Sequence, residues 1–220
     1  MIIEIDNVEL YFKNKRILNG IYLKAETGKI TGILGRNGSG KSCLLDIVFG
    51  NIKPKYSLIR IDNKPILKPL YSTGLVKYLP QYHFTPNRIK VRSALKHYNL
   101  SWKQFQEDLK LEIDFQNSRI HLLSGGERRL LESYLALKSD AKIVLLDEPF
   151  SHLAPLHIES IKRLIQEEKH RKAIIISDHL YQHIIETSDD IYLLKNGCTK
   201  KIDRLNELED YKYLNEGSLS

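Results

Sequence analysis

The sequence predicts an α/β fold: a mainly parallel core sheet flanked by helices, with an N-terminal antiparallel β layer and two short helices in its middle. Three observations carry this. A short apolar run, Ile30 to Leu34, passes through the glycine-rich stretch Gly35-Arg36-Asn37-Gly38-Ser39-Gly40-Lys41-Ser42 into a helix-like run, Leu44 to Phe49. Two continuous apolar runs, Ile143 to Leu146 and Ala173 to Ile176, each end in polar residues, as parallel strands covered on both faces do. Short strands and turns precede the glycine-rich stretch, which places an antiparallel layer against the core.

Composition narrows the classes. A chain of 220 residues suits one domain and can bury a real core. Its apolar runs are far shorter than the roughly 20 residues that a membrane-spanning helix needs. Met1-Ile2-Ile3-Glu4-Ile5-Asp6 has acids where a signal peptide carries lysines, so a cytosolic protein is expected. Two cysteines, Cys43 and Cys198, make no disulfide framework and fit a reducing compartment. The net charge of +7 is uneven: residues 51 to 110 hold twelve Lys and Arg against three acids, a block of +9, and the remainder carries −2. Such a block can face anionic lipid, nucleic acid or an acidic partner, although charge runs more often serve solubility.

From the N-terminus, Ile2 to Ile5 and Val8 to Phe12 read as short strands, with Asn14-Lys15 turning the chain into Ile17 to Lys24. Tyr11 and Phe12 are both candidates to stack on a nucleobase, and alternation lets only one of them point to a given face. Packing explains either aromatic as well as a base contact does. In the glycine-rich stretch, main-chain N–H groups converge on one point and the helix dipole adds positive potential there, the arrangement that wraps phosphate. Lys41 would neutralise the β- and γ-phosphates and the Ser42 hydroxyl would take one site on Mg²⁺. The helix from Cys43 to Phe49 closes at Gly50-Asn51.

Leu58 to Ile61 and Gly74 to Leu79 read as strands separated by the turn Asp62-Asn63. Val91 to Tyr98 and Ser101 to Leu109 read as short helices, with Ser101 the N-cap of the second. Trp102, Phe105 and Leu109 recur at helical spacing, a core or partner-facing stripe rather than a ligand site. Ser124-Gly125-Gly126-Glu127 then heads a helix from Arg128 to Lys138. Small residues at a helix start admit phosphate, but Ser-Gly-Gly alone more often marks a simple cap.

Asp147 and Glu148 end the apolar run from Ile143, where ligands of parallel sheets sit. Asp147 would hold Mg²⁺ through its water shell and Glu148 would polarise an attacking water. Pro155 opens a helix to about Lys169. His179, just past the run from Ala173, can reach the same phosphate because the two strands are parallel. Ile191 to Leu194, Asn196-Gly197 and Cys198 to Ile202 form a hairpin, and the last residues of the tail from Asp203 to Ser220 are expected to fray.

The phosphate loop, Gln81, Leu-Ser-Gly-Gly-Glu, Leu-Leu-Asp-Glu-Pro and Ser-Asp-His, in this order, resemble the nucleotide-binding domain of ABC ATPases over nearly the whole chain. The resemblance implies a P-loop NTPase fold of ABC type, one domain over 1–220 with a small helical sub-domain at about 84–138. It makes Gly35 to Ser42 the Walker A motif and Gln81 the Q-loop glutamine, meeting Mg²⁺ and reporting to a membrane subunit. Ser124, Gly125, Gly126 and Glu127 become the signature, Asp147 the Walker B aspartate, Glu148 the catalytic glutamate and His179 the switch histidine. Family spacing favours Phe12 over Tyr11 as the base-stacking aromatic.

The implied function is ATP hydrolysis powering transport, as the cytosolic ATPase subunit on a transmembrane permease, held peripherally at the inner face of the cell membrane. Two ATP molecules would lie between two such domains, in a homodimer or a heterodimer with another ABC ATPase. The narrower likeness is to lipopolysaccharide-export and branched-chain amino-acid ATPases. The competing readings are a soluble ABC ATPase acting on nucleic acid or ribosomes, for which a single nucleotide domain without a long heptad insertion speaks poorly, and an ATP-gated module that does not hydrolyse.

Three departures stand out. The D-loop reads Ser151-His152-Leu153-Ala154 where the family has Ser-Gly-Leu-Asp, which puts cooperation between two sites in doubt. The interval from Gln81 to Ser124 is short, so the helical sub-domain should be reduced. Cys43 replaces a threonine; its helix-start position argues for a lowered thiol pKa, against the weightier alternative of a buried, inert cysteine.

Overall fold

A computed structural model describes residues 1–215, 217 and 218. The chain order is β1 (Ile2–Phe12), β2 (Lys15–Glu26), β3 (Ile30–Leu34), α1 (Lys41–Phe49), β4 (Tyr56–Ile61), β5 (Lys64–Pro65) and β6 (Val76–Leu79). Then come α2 (Val91–His97), α3 (Trp102–Leu109), α4 (Gly125–Lys138), β7 (Ile143–Asp147), α5 (Pro155–Glu168), β8 (Ala173–Ser177), α6 (Tyr181–Thr187), β9 (Asp190–Lys195), β10 (Cys198–Ile202) and α7 (Glu207–Asp210).

Two sheets form. An antiparallel one runs β2-β1-β4-β5, and a six-stranded one runs β10-β9-β3-β8-β7-β6, parallel throughout except for the β9–β10 hairpin. The continuous apolar runs follow from burial on both faces. Val144 and Leu146 of β7, with Ile174 and Ile176 of β8, join the core that holds Phe105, Tyr134 and Leu164 from α3, α4 and α5. Their neighbours Ile143, Leu145, Ala173 and Ile175 point to the other core, shared with α1 and the antiparallel sheet. Alternation along a strand therefore divides one apolar run between two hydrophobic layers.

The structure lengthens several predicted elements. The two expected N-terminal strands are one strand, β1, whose register against β2 shifts between Ile5 and Val8, where Asn7 adopts a left-handed φ of 48°. Helix α1 begins at Lys41, before Cys43, and α4 begins at Gly125 rather than Arg128. Helices α6 and α7, at seven and four residues, are too short for helical periodicity to mark them in the sequence. The Trp102 stripe is core: Phe105 and Leu109 are fully buried, and Trp102 meets Phe115 edge to face with ring centroids 4.9 Å apart. The expected fraying of the tail falls partly on residues 216, 219 and 220, outside the described residues.

The sheet order sets the site. Strands β3, β8 and β7 are adjacent and parallel, so the glycine-rich loop after β3, His179 after β8 and the two acids at the end of β7 gather at one carboxyl edge.

Candidate functional site

The loop between β3 and α1 works because of Gly40. It caps α1 with a φ of 105°, and a Cβ there would lie 2.9 Å from Leu18 Cδ2, so only glycine takes the position unstrained. Lys41 follows at the first helical position and folds back, donating from Nζ to the Gly35 carbonyl at 2.7 Å and to the Arg36 carbonyl at 3.4 Å. Burial pushes its pKa below the ordinary lysine value, against the pull of Asp147, Glu148 and Asp178. A buried ammonium held only by carbonyls gains from any anion brought into the loop.

A cleft of about 560 Å³ opens above this loop, lined by Phe12, Ile17, Asn37, Gly38, Ser39, Gly40, Lys41, Ser42, Cys43, Gln81 and Glu148. It gathers predicted residues from four separate segments. Phe12 is half exposed into it, whereas Tyr11 reaches toward Glu9 and has Lys55 5.3 Å from its ring centroid. Gly35 is buried and lines a neighbouring pocket with Arg36, Asn37 and His179. Arg36 turns away, its Nη2 donating to the Lys212 carbonyl at 3.2 Å.

At the end of β7 the Asp147 carboxyl is almost fully buried, and burial raises its pKa above the ordinary range while Ser177 and Ser42 pull it back. Oδ1 accepts from Ser177 Oγ at 2.6 Å; Oδ2 is buried without a hydrogen-bond partner of good geometry. Such an orphaned oxygen, together with the Ser42 hydroxyl and the Gln81 amide oxygen, matches the oxygen preference of Mg²⁺. No group of three His, Cys, Asp or Glu side chains among the described residues could hold a metal alone. The cation would therefore take its other ligands from phosphate and water.

Glu148 has a φ of 53°, an unusual value for a side chain of its size, and its N–H donates to the Ser177 carbonyl at 2.7 Å. Its Oε2 lies 3.3 Å from Ser151 Oγ and 3.6 Å from His179 Nδ1. His179 also stands 3.3 Å from Asp178 Oδ1, whose carboxylate is fixed by the Leu180 and Phe150 N–H groups. The predicted acid and histidine thus meet, carboxylate to imidazole, beside the phosphate loop.

One arrangement at the site escaped the sequence. Arg129 of α4, nearly fully buried, donates to the carbonyls of Pro80, at 2.6 Å, and of Asp147 and Glu148. It ties the chain just before Gln81 to the chain that carries both acids. The Cys43 thiol is pushed up by burial and then by Asp46 and Asp147, which corrects the lowered value argued from the helix start and agrees with the weightier reading of a buried, inert cysteine.

None of Ser124, Gly125, Gly126 and Glu127 lines the cleft. They form a capping box instead: the Glu127 N–H donates to Ser124 Oγ at 3.2 Å and the Ser124 N–H to Glu127 Oε2 at 2.8 Å. Gly126 packs so tightly that a Cβ would come within 2.7 Å of the His152 carbonyl, which locks this helix start to the D-loop.

The ABC transporter family model matches residues 18–151. The lipopolysaccharide export system ATP-binding protein LptB of Escherichia coli K12 is 30% identical over 210 residues, covering 87% of this chain and 86% of its own. The protein of that name from Haemophilus influenzae is 29% identical over 89% of this chain and 88% of its own. Among solved structures, an ATP-binding subunit of an ABC transporter superposes with a TM-score of 0.82 at 21% identity, covering 100% of this chain and 96% of its own. A nucleotide-free ATP-binding cassette from an ABC transporter gives 0.79 at 24% identity, over 97% of this chain and 96% of its own.

Proposed function

The chain belongs to the ABC transporter family as an ATP-binding and ATP-hydrolysing subunit, and on that premise we propose how its residues divide the work. The observation that carries this division is the single cleft lined by the phosphate loop, Phe12, Gln81 and Glu148.

Phe12 stacks on the base, and the N–H groups of the loop from Gly35 to Cys43 cradle the phosphates with Lys41 on the β- and γ-groups. Ser42, Gln81 and Asp147 would hold Mg²⁺, which would supply positive charge to offset that of the phosphates. Glu148 accepts the proton of the attacking water. The water oxygen bonds to the γ-phosphorus, the bond to the bridging oxygen breaks, and its electron pair leaves on ADP. His179, within 3.6 Å of the Glu148 carboxylate, orients that group and the γ-phosphate.

Ser124 to Glu127, exposed or half-buried outside their own chain's cleft, complete the cleft of a second ATPase chain, a copy of this one or a relative. Residues 1–220 act as one ATPase domain, with 84–138 the helical sub-domain that meets a transmembrane permease at the inner face of the cell membrane. No helix of the described residues is long and apolar enough to cross a membrane.

Phosphate release from ATP and Mg²⁺ by the purified chain, beside Lys41→Ala, tests the division. Loss of the buried ammonium is expected to lower turnover about a hundredfold or more. A Lys41→Ala protein with wild-type turnover would mean that the chemistry lies elsewhere.

A further inference from the structure

Glu132 is a fully buried carboxylate outside the nucleotide cleft. It sits about two turns along α4 from Ser124 and has no exposed surface. The chain that follows Gln81 is wrapped onto it. Oε1 accepts from the Phe84 N–H at 3.1 Å, the Thr85 N–H at 3.1 Å, Thr85 Oγ1 at 2.6 Å and Arg128 Nε at 3.3 Å, while Oε2 faces His83 Nδ1 at 2.9 Å. Arg128 closes the clasp, donating to the Thr85 carbonyl at 2.7 Å and to Asn87 Oδ1 at 2.8 Å.

Residues 83 to 87 belong to no helix or strand, so this clasp replaces the ladder that would otherwise hold them. Burial alone would raise the Glu132 pKa, but hydrogen bonds from Thr85 and His83 outweigh it and hold the group ionised below the ordinary range. An apolar side chain would fill the space as well, yet would leave the Phe84 and Thr85 N–H groups unpaired. The segment cannot slide along α4 without stranding a buried charge, so the two move as one body.

That body has a functional residue at each end. Gln81 lies two residues before His83, in the nucleotide cleft, and Ser124 heads α4. We propose that Glu132 is a positioning residue that couples the Gln81 loop to the signature end of α4, so that a displacement of one is delivered to the other. The proposal rests on the nucleotide roles given above to Gln81 and Ser124.

The test is a double-mutant cycle in the full-length chain, reading kcat and KM for ATP in saturating Mg²⁺. Glu132→Gln and Thr85→Val are each made with Gln81 present and with Gln81→Ala. Gln81→Ala is expected to lower kcat. Glu132→Gln is expected to lower kcat about tenfold with KM within about twofold, and to cost less than about twofold once Gln81 is gone. Thr85→Val follows the same pattern with a smaller loss, and decides alone where Glu132→Gln fails to fold.

Equal losses in both backgrounds, or an unchanged kcat, would show that Glu132 only supports the fold. Gln81→Ala with wild-type kcat would remove both the role of Gln81 and this proposal. A wild-type chain without turnover would remove the ATPase reading on which both stand.

Discussion

Burial at the end of β7 works against the charged form of Asp147. Its folded pKa is raised chiefly by burial, so the charged form costs stability at neutral pH. The sign follows by linkage: the cost is present above the folded value and disappears as pH falls through it and then through the ordinary range near about 3.9. Asp147→Asn should therefore melt at a higher temperature than wild type at pH 7 without nucleotide, with the advantage shrinking toward pH 4, while hydrolysis collapses. A variant less stable than wild type at pH 7 would contradict this account of the carboxylate. Arg129 is the opposite case, a buried cation whose removal exposes the Pro80, Asp147 and Glu148 carbonyls to an apolar interior. Arg129→Met is expected to cost about 3–5 kcal/mol in denaturant unfolding. A loss below about 1 kcal/mol would mean that water or another donor satisfies those carbonyls.

The D-loop and α5 show what one altered residue does to an element. His152 takes a left-handed φ of 64° where the family motif has glycine, and Ala154 stands at the N-cap of α5 without a side-chain cap. Its extended φ of −68° and ψ of 152° are those of a capping residue, and the position is exposed. Ala154→Asp should gain about 1 kcal/mol, a rise in melting temperature of about 2–4 °C for a domain of this size. No rise would show that the first turn of α5 is already satisfied. The strands at the site were legible from sequence because β3, β7 and β8 are buried on both faces and give way abruptly to glycine or polar residues. The glycine-rich turn between β3 and α1 was legible because its glycines, lysine and serine follow an apolar strand and open a helix. Helix α6, the Arg129 carbonyl clasp and the Glu132 clasp were not. Helix α6 is too short for periodicity to mark it; the two clasps depend on contacts between distant segments, and a single Arg or Glu on a helix reads as a solvent-facing charge until the fold buries it.

For the whole molecule, the separation of the Ser124 helix start from the chain's own cleft is the organising fact. A capping box and a close contact with His152 hold that helix start in shape, yet it contributes nothing to the cleft of its own chain. The basic block of residues 51 to 110 is partly spent inside the chain: Arg60 pairs with Glu4 and Asp6, Lys55 stacks on Tyr11 and Tyr56, and Lys77 lies over Phe84 and Tyr98. What remains exposed on β5 and α2, including Lys64, Arg92 and Lys96, is available to a partner. The central claim is a composite site in which Glu148 drives hydrolysis and two chains enclose the nucleotide. Its most direct test is the mass in solution of Glu148→Gln beside wild type, with ATP and Mg²⁺, alongside phosphate release. The account predicts that wild type releases phosphate and returns to monomer, whereas Glu148→Gln releases none and accumulates as an ATP-bound dimer despite Ala154. A Glu148→Gln protein that hydrolyses ATP at the wild-type rate, or stays monomeric at saturating ATP, would contradict it.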